Sequence, residues 1–246
     1  TPTCSALPVT MLTDIELPND DREGAFVAGT VLLLRDALNG PEVLLLKRNP
    51  QAKNMGDVWM FPGGKVEAGD AAPREVEQAA NAAVRELHEE AAIVLNTSEL
   101  ICFSHWLTPA GMARRFATWF YVARLPENAA VRVDGEEMVE ARWVSPQTAI
   151  EEHKRGTLRL PPPTVVSLQD LAHQTSVAQI LNAVASRVPP YFFPKVWAQA
   201  EKNVVMLYPG DAGYEDANPQ ANGERHRAQW SDGVIAYERS YEYSSP

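Results

Sequence analysis

A chain of 246 residues can bury a sizeable core, as one large α/β domain or as a domain with appendages. Its composition, 45% hydrophobic and 22% charged, is that of an ordinary globular protein, and no uninterrupted apolar run approaches the ~18 residues of a membrane span. With 32 acidic residues against 22 basic ones the net charge is -10, the wrong sign for gripping a nucleic-acid backbone; a small anionic substrate would need a metal or local cations to offset the repulsion.

Taken in chain order, residues 25–35 and 42–47 are short Val- and Leu-rich runs separated by Asp36-Ala37-Leu38-Asn39-Gly40-Pro41, the pattern of two strands and a hairpin. A polar loop over 48–57 leads to Trp59-Met60-Phe61-Pro62-Gly63-Gly64, whose paired glycines allow a tight turn. Residues 73–92 are dense in Ala, Glu, Leu and Gln with no interior Gly or Pro, which predicts one long helix with Pro73 in its first turn. Its apolar side is Val76, Ala80, Ala83, Val84 and Leu87. Strands are expected over 100–106, 115–123 and 141–144, a helix from Ser145-Pro146 through His153, a stiff extended segment at Leu160-Pro161-Pro162-Pro163, and two helical stretches over 164–188. The tail predicts strands at 204–207, 225–230 and 234–239 with a hairpin turn at Ser231-Asp232-Gly233. Its aromatics, among them Tyr208, Trp230, Tyr237 and Tyr243, suit a contact surface such as a sheet edge, a homodimer interface or a cover over a site.

Cys4 and Cys102 lie far apart with no CxxC spacing, so neither a disulfide framework nor a structural zinc is expected, and a reducing compartment fits. The opening TPTCSALPVT has no basic segment followed by an apolar core, and the last residues carry no recognisable address. A cytoplasmic location is expected, and a start at Thr1 is compatible with trimming.

In Arg85-Glu86-Leu87-His88-Glu89-Glu90 the glutamates fall at i, i+3 and i+4, one face of a helix. Three carboxylates on one patch repel each other unless a cation sits on them, and their oxygens are the ligands Mg²⁺ or Mn²⁺ prefers. The bland alternative is a solvated charged face, the commoner fate of Glu-rich helices. What shifts the balance is Gly63-Gly64-Lys65-Val66-Glu67-Ala68-Gly69-Asp70 feeding into that helix. Together the segments, Gly64 to Ile93, resemble the Nudix box.

Three departures from that box stand out. Asp70 replaces Glu, Ala92 replaces Gly, and fourteen residues separate Asp70 from Arg85, an excess over the usual spacer close to two helical turns. The carboxylate that braces Arg85 is then Asp70, which keeps the glycine register, or Glu77, which keeps the spacing to Arg85. A helical Glu77 would stand about 12 Å from Arg85, so Asp70 is favoured.

The resemblance implies that Glu86, Glu89 and Glu90 bind Mg²⁺ or Mn²⁺, that the Gly64 carbonyl adds a ligand, and that Arg85 orients the glutamates. The general base would be Glu89, Glu90 or a Glu before Trp143-Val144-Ser145-Pro146, with Glu137 fitting best and Glu136 and Glu140 competing. The stretch from Arg48 through Gly64 partly follows the coenzyme A diphosphatase signature: Arg48 matches, Lys53 replaces an Arg, and Gly56 stands one position early with Asp57 in its slot. Residues 25–175 more broadly resemble the Nudix subgroup typified by the mammalian peroxisomal coenzyme A diphosphatase, whose members carry an insertion inside the box. The chain has no peroxisomal C-terminal tripeptide. Arg114 and Arg115 are candidate anion contacts, although strand alternation would turn at most one of them to the site. Trp106, Trp119 and Phe116 could stack on a base, with buried packing the commoner role.

These features predict an α/β fold, a Nudix-type α/β/α sandwich with a mixed sheet and a C-terminal helical and β appendage. The expected division is an N-terminal extension (1–24), a Nudix domain with C-terminal helices (25–188) and a C-terminal extension with a β-hairpin (189–246). The expected activity is Mg²⁺- or Mn²⁺-dependent cleavage of a pyrophosphate bond, in coenzyme A or an acyl derivative first, giving adenosine 3',5'-bisphosphate and a phosphopantetheine. ADP-ribose, NADH or another nucleotide is the alternative within that class, and a non-catalytic nucleotide-binding module lies outside it. The expected partner is a small nucleotide, not a nucleic acid or a membrane.

Overall fold

A computed structural model of the chain describes residues 22–200 and 203–243. The central sheet has eight strands: β1 (Ala25–Ala37), β2 (Gly40–Arg48), β3 (Trp59–Met60), β4 (Gly63–Lys65), β5 (Ile101–Leu107), β6 (Arg115–Arg124), β7 (Met138–Val144) and β8 (Tyr191–Phe192). They run in the order β3-β2-β1-β6-β5-β8, with β4 on β1 and β7 on β2. The sheet is mixed, because β1 lies parallel to β6 and antiparallel to β2 and β4. The 13-residue β1 serves two partners, its first half pairing β4 and its last residues turning into β2 at Ala37 and Gly40.

Alternation along β1 sends Val31 and Leu33 to one face and Leu32 and Leu34 to the other, all fully buried. The first face is covered by α1 (Glu75–Ala91), which buries Val76, Ala79, Ala80, Ala82, Ala83 and Leu87, while Val84 is only partly buried. The alanines let the helix lie unusually close to the sheet. A Cβ at Gly29 of β1 would overlap the Ala79 carbonyl, so this contact requires glycine. The second face packs on α2 (Pro146–Lys154), α3 (Pro162–Leu171) and α4 (Val177–Ala185). Ser145 and Ser176 cap α2 and α4 by accepting from the Thr148 and Gln179 amides.

Three local expectations change. Pro73 lies before the Arg74 N-cap of α1 rather than in its first turn. Pro162 and Pro163 belong to the first turn of α3 rather than to an extended segment, since proline's fixed φ and missing N–H suit a helix start. The tail forms a four-stranded antiparallel sheet of β9 (Lys195–Ala200), β10 (Asn203–Leu207), β11 (His226–Ser231) and β12 (Val234–Arg239). Met206, Ala228 and Ile235 of this sheet, with Tyr208 just after β10, share one apolar cluster with Leu32, Phe103 and Val165, so it is fused to the second face. His153 of α2 joins the two: its Nδ1 lies 2.9 Å from the Leu158 carbonyl and its Nε2 accepts from the Ile235 amide at 2.8 Å. Cys102 is buried and free, and Cys4 lies outside the described residues. No helix among the described residues is long and apolar enough to cross a membrane.

Candidate active site

Two backbone features create the site. The β4 turn brings Gly63 and Gly64 against the C-terminal half of α1, and a Cβ at Gly64 would overlap the Glu86 carboxylate. A short 3-10 turn, Ala68–Asp70, then aims Asp70 back at the same helix. Asp70 is buried and accepts from Arg85 Nε at 3.1 Å and Nη2 at 3.0 Å, as well as from the Glu67 amide at 2.9 Å. Arg85 also donates to the Lys65 carbonyl at 3.0 Å, Glu86 at 3.0 Å and Glu89 at 3.1 Å. Five N–H donors in a planar fork suit such a hub, and its carboxylate partners push the guanidinium pKa up. Glu77 is held by Arg74 at 2.7 Å, in the first turn of α1.

Glu90 faces inward, 4% exposed, and accepts from the Gly63 amide at 2.9 Å. Burial pushes its pKa up to about 8; the Gly63 bond opposes this, and the charges of Glu86, Glu137 and Asp134 add to it. Burial likewise raises Glu86, with Arg85 acting in the opposite direction. Among the described residues no three His, Cys, Asp or Glu side chains are gathered in a metal-holding arrangement. The physical reason is visible: Arg85 engages Glu86 and Glu89 while Glu90 is turned to Gly63.

Across from the helix, the loop before β7 carries Glu137, which pairs with Arg48 at 2.8 Å. Arg48 Nε is buried without an acceptor. Asp134 organises this loop, accepting from the Glu136 and Glu137 amides at 2.6 Å each and from Met138 at 3.1 Å. Asn49 ties the loop to the end of β2 by donating to the Glu136 carbonyl at 2.8 Å. Asp134 was not anticipated from sequence, although Asp134-Gly135 is a turn dipeptide that signals such side-chain-to-backbone bonds. Glu140 lies 4.0 Å from Lys47, and the Glu136 side chain is exposed.

The remaining basic residues differ in placement. Lys53 is exposed on the loop between β2 and β3. Arg114 stands over the Phe116 and Phe26 rings at 5.0 and 5.9 Å, and Lys65 stands over Phe26 at 5.4 Å, so a half-exposed aromatic gathers two cations on the strand beside Gly64. Arg115, expected among substrate contacts, is instead buried and donates to the Thr108 and Glu23 carbonyls at 3.3 and 3.2 Å, which spends its guanidinium on backbone. Trp106 and Trp119 are buried in the two cores.

The family model for the NUDIX domain matches residues 26–163, more than half of the chain. A Caenorhabditis elegans protein named "Putative nudix hydrolase 7" is 30% identical over 72% of this chain and 70% of its own length. Proteins named acyl-coenzyme A diphosphatase NUDT19 are 30% identical in Xenopus laevis and 33% identical in Homo sapiens, over 54% and 47% of this chain. The chain aligns with only 36% and 32% of those two proteins. In fold, a NUDIX hydrolase from Alicyclobacillus acidocaldarius superposes with a TM-score of 0.60 at 19% identity, covering 64% of this chain and 96% of its own.

Proposed function

Because the chain belongs to the Nudix hydrolase family, we propose that it cleaves the pyrophosphate bond of a nucleoside diphosphate derivative in the presence of Mg²⁺ or Mn²⁺, with coenzyme A or acyl-coenzyme A as substrate. The observation that carries this reading is the placing of Glu86 and Glu90 against the Gly63-Gly64 turn, with Glu137 close enough to raise the pKa of both and Glu89 held beside Glu86 by Arg85. The donor set suits a hard divalent ion. A buried Glu90 whose ionisation is opposed by two neighbouring glutamates is the kind of charge a cation relieves. Glu86, Glu89 and Glu90 would hold it, with the Gly64 carbonyl as a further ligand. When bound, it screens the pyrophosphate charge and acidifies the attacking water.

The protein's own groups carry the rest. The Asp70–Arg85 pair positions Glu86 and Glu89. Arg48 offers an unfilled Nε donor to a phosphate oxygen, and a phosphate drawing Arg48 away would release Glu137 as the base. Lys53 and Arg114 would meet the outer parts of the substrate. Arg114, Lys65 and Phe26 together present cations beside a half-exposed ring, a surface suited to a base and its phosphate. The coenzyme A assignment rests on the partial signature from Arg48 to Gly64 and on the names of the two vertebrate relatives.

The test is a Mg²⁺ and Mn²⁺ assay across coenzyme A, ADP-ribose, NADH and nucleoside triphosphates with products resolved. Adenosine 3',5'-bisphosphate from coenzyme A at the highest kcat/KM of the panel is expected. A preference for ADP-ribose or NADH would overturn the substrate, and no cleavage of any compound would overturn the activity.

A further inference from the structure

On the face of the sheet opposite α1, an open cavity of about 860 Å³ lies between α3, α4 and β12. At its base sits Asp170, its side chain 4% exposed, shared by Arg187 and Arg239, which are 16% and 14% exposed. A second carboxylate, Glu242, reaches Arg239 Nη2 at 3.8 Å but is 98% exposed and screened by water, so the largely buried part of the cluster carries two guanidiniums against the one carboxylate of Asp170. An excess of charge away from water is costly.

The two arginines are not equivalent. Arg239 is committed: Nη1 donates to Asp170 at 2.8 Å, Nε donates to the Tyr241 carbonyl at 2.8 Å, and its plane lies 3.8 Å from the Tyr243 ring centroid. Arg187 reaches Asp170 at 3.4 Å and the Phe103 carbonyl at 3.5 Å, both long, and its Nε is buried with no acceptor at all. Its guanidinium stands over the rings of Phe103 and Tyr243, at 4.9 and 4.7 Å, so its orientation is set while its donors stay underused. Gln169, also lining the cavity, has a buried amide oxygen without a donor. Glu238 and Glu242 are exposed at the rim, where water screens them, and His173 is exposed at the mouth.

We propose that this cavity is a second ligand site, separate from the glutamate cleft, which binds the phosphate or carboxylate group of a small metabolite through Arg187. An oxyanion there completes the arginine's fork, neutralises the buried charge excess, and leaves room for the rest of a molecule within the size range of ordinary ligand pockets. Gln169 accepts from a hydroxyl of that ligand.

The test uses the full chain in a buffer free of phosphate and carboxylate, titrated separately with inorganic phosphate and with succinate, with chloride at matched ionic strength as control. Saturable binding by calorimetry is expected for at least one of the two, identifying the ligand as phosphate- or carboxylate-bearing. The Arg187 Nε–H resonance is expected to shift along the same isotherm. Arg187→Gln should weaken that binding at least tenfold. Gln174→Glu, at the cavity lining, should weaken it too, which keeps the test intact if the first variant does not fold. Arg155→Gln, exposed at the end of α2 and outside both sites, should leave it unchanged. Absence of binding by both anions would overturn the proposal. So would binding that survives both cavity variants or is lost in Arg155→Gln.

Discussion

Asp70→Asn removes one negative charge from the base of the candidate active site while keeping the side chain's size. Asp70 is 4% exposed at its side chain and holds both Arg85 Nε and Nη2. Breaking a buried pair typically costs ~3–5 kcal/mol. Here Arg85 is 24% exposed and keeps Lys65, Glu86 and Glu89 as partners, so water and these acceptors recover part of the loss. About 2–3 kcal/mol should remain, lowering Tm by roughly 5–10 °C for a domain of this size. Because Arg85 also orients Glu86 and Glu89, kcat should fall about 10- to 100-fold, the usual effect of removing an outer-shell partner, with a smaller change in KM. Asp70→Glu should restore more activity than Asp70→Asn. Glu77→Ala is the internal control: Glu77 touches only the first turn of α1, through Arg74, so its loss should cost well under 1 kcal/mol and leave kcat near the parent value. Thermal melts and steady-state kinetics on the three variants decide the matter. A Glu77→Ala variant more damaged than Asp70→Asn would refute the brace.

Two further outcomes follow from backbone and burial. Ala92 ends α1 at φ 57°, a left-handed conformation that costs an L-residue with a Cβ about 1–2 kcal/mol, so Ala92→Gly should raise stability by up to about 1 kcal/mol after glycine's own entropic cost, as read in urea unfolding; a loss of stability would contradict the strain. Burial lowers the His226 pKa to about 4, below the ordinary 6.5. Its folded form therefore resists protonation, and its contribution is intact above pH ~6.5 and lost as pH falls from there toward 4, about 2 kcal/mol by pH 5. Unfolding at pH 7 and pH 5 should show His226→Gln with a correspondingly smaller pH-dependent loss than the parent chain, and equal losses would contradict the assignment.

The parts of the molecule that were legible in the sequence are those set by local periodicity or by counting. The i, i+3, i+4 glutamates had to share a face, and the helical rise alone separated Glu77 from Arg85. The same arithmetic could not show that Arg85 would sit between Glu86 and Glu89. Arg115 illustrates the limit more sharply: alternation says which way a strand residue points, not that two carbonyls wait there to take its donors. Asp134 acts through bonds to its own loop, which leave no periodic trace. Asp57 shows a position where sequence looked defective and backbone supplies the reason: it adopts φ 61°, a left-handed conformation that Asp tolerates better than most residues, while Gly56 packs against the Pro50 carbonyl. The two-residue β8 and the fusion of the C-terminal sheet to the core are purely tertiary facts, decided by which apolar faces meet.

The most direct test of the account is hydrolysis of coenzyme A in ¹⁸O-labelled water with Mn²⁺, analysed by mass spectrometry, for the parent chain and Glu90→Gln. The account predicts one ¹⁸O in the phosphate of adenosine 3',5'-bisphosphate or of phosphopantetheine, no turnover without the metal, and at least a hundredfold loss in Glu90→Gln with the fold retained. Metal-independent cleavage, label elsewhere than a phosphate, or full activity in Glu90→Gln would contradict it.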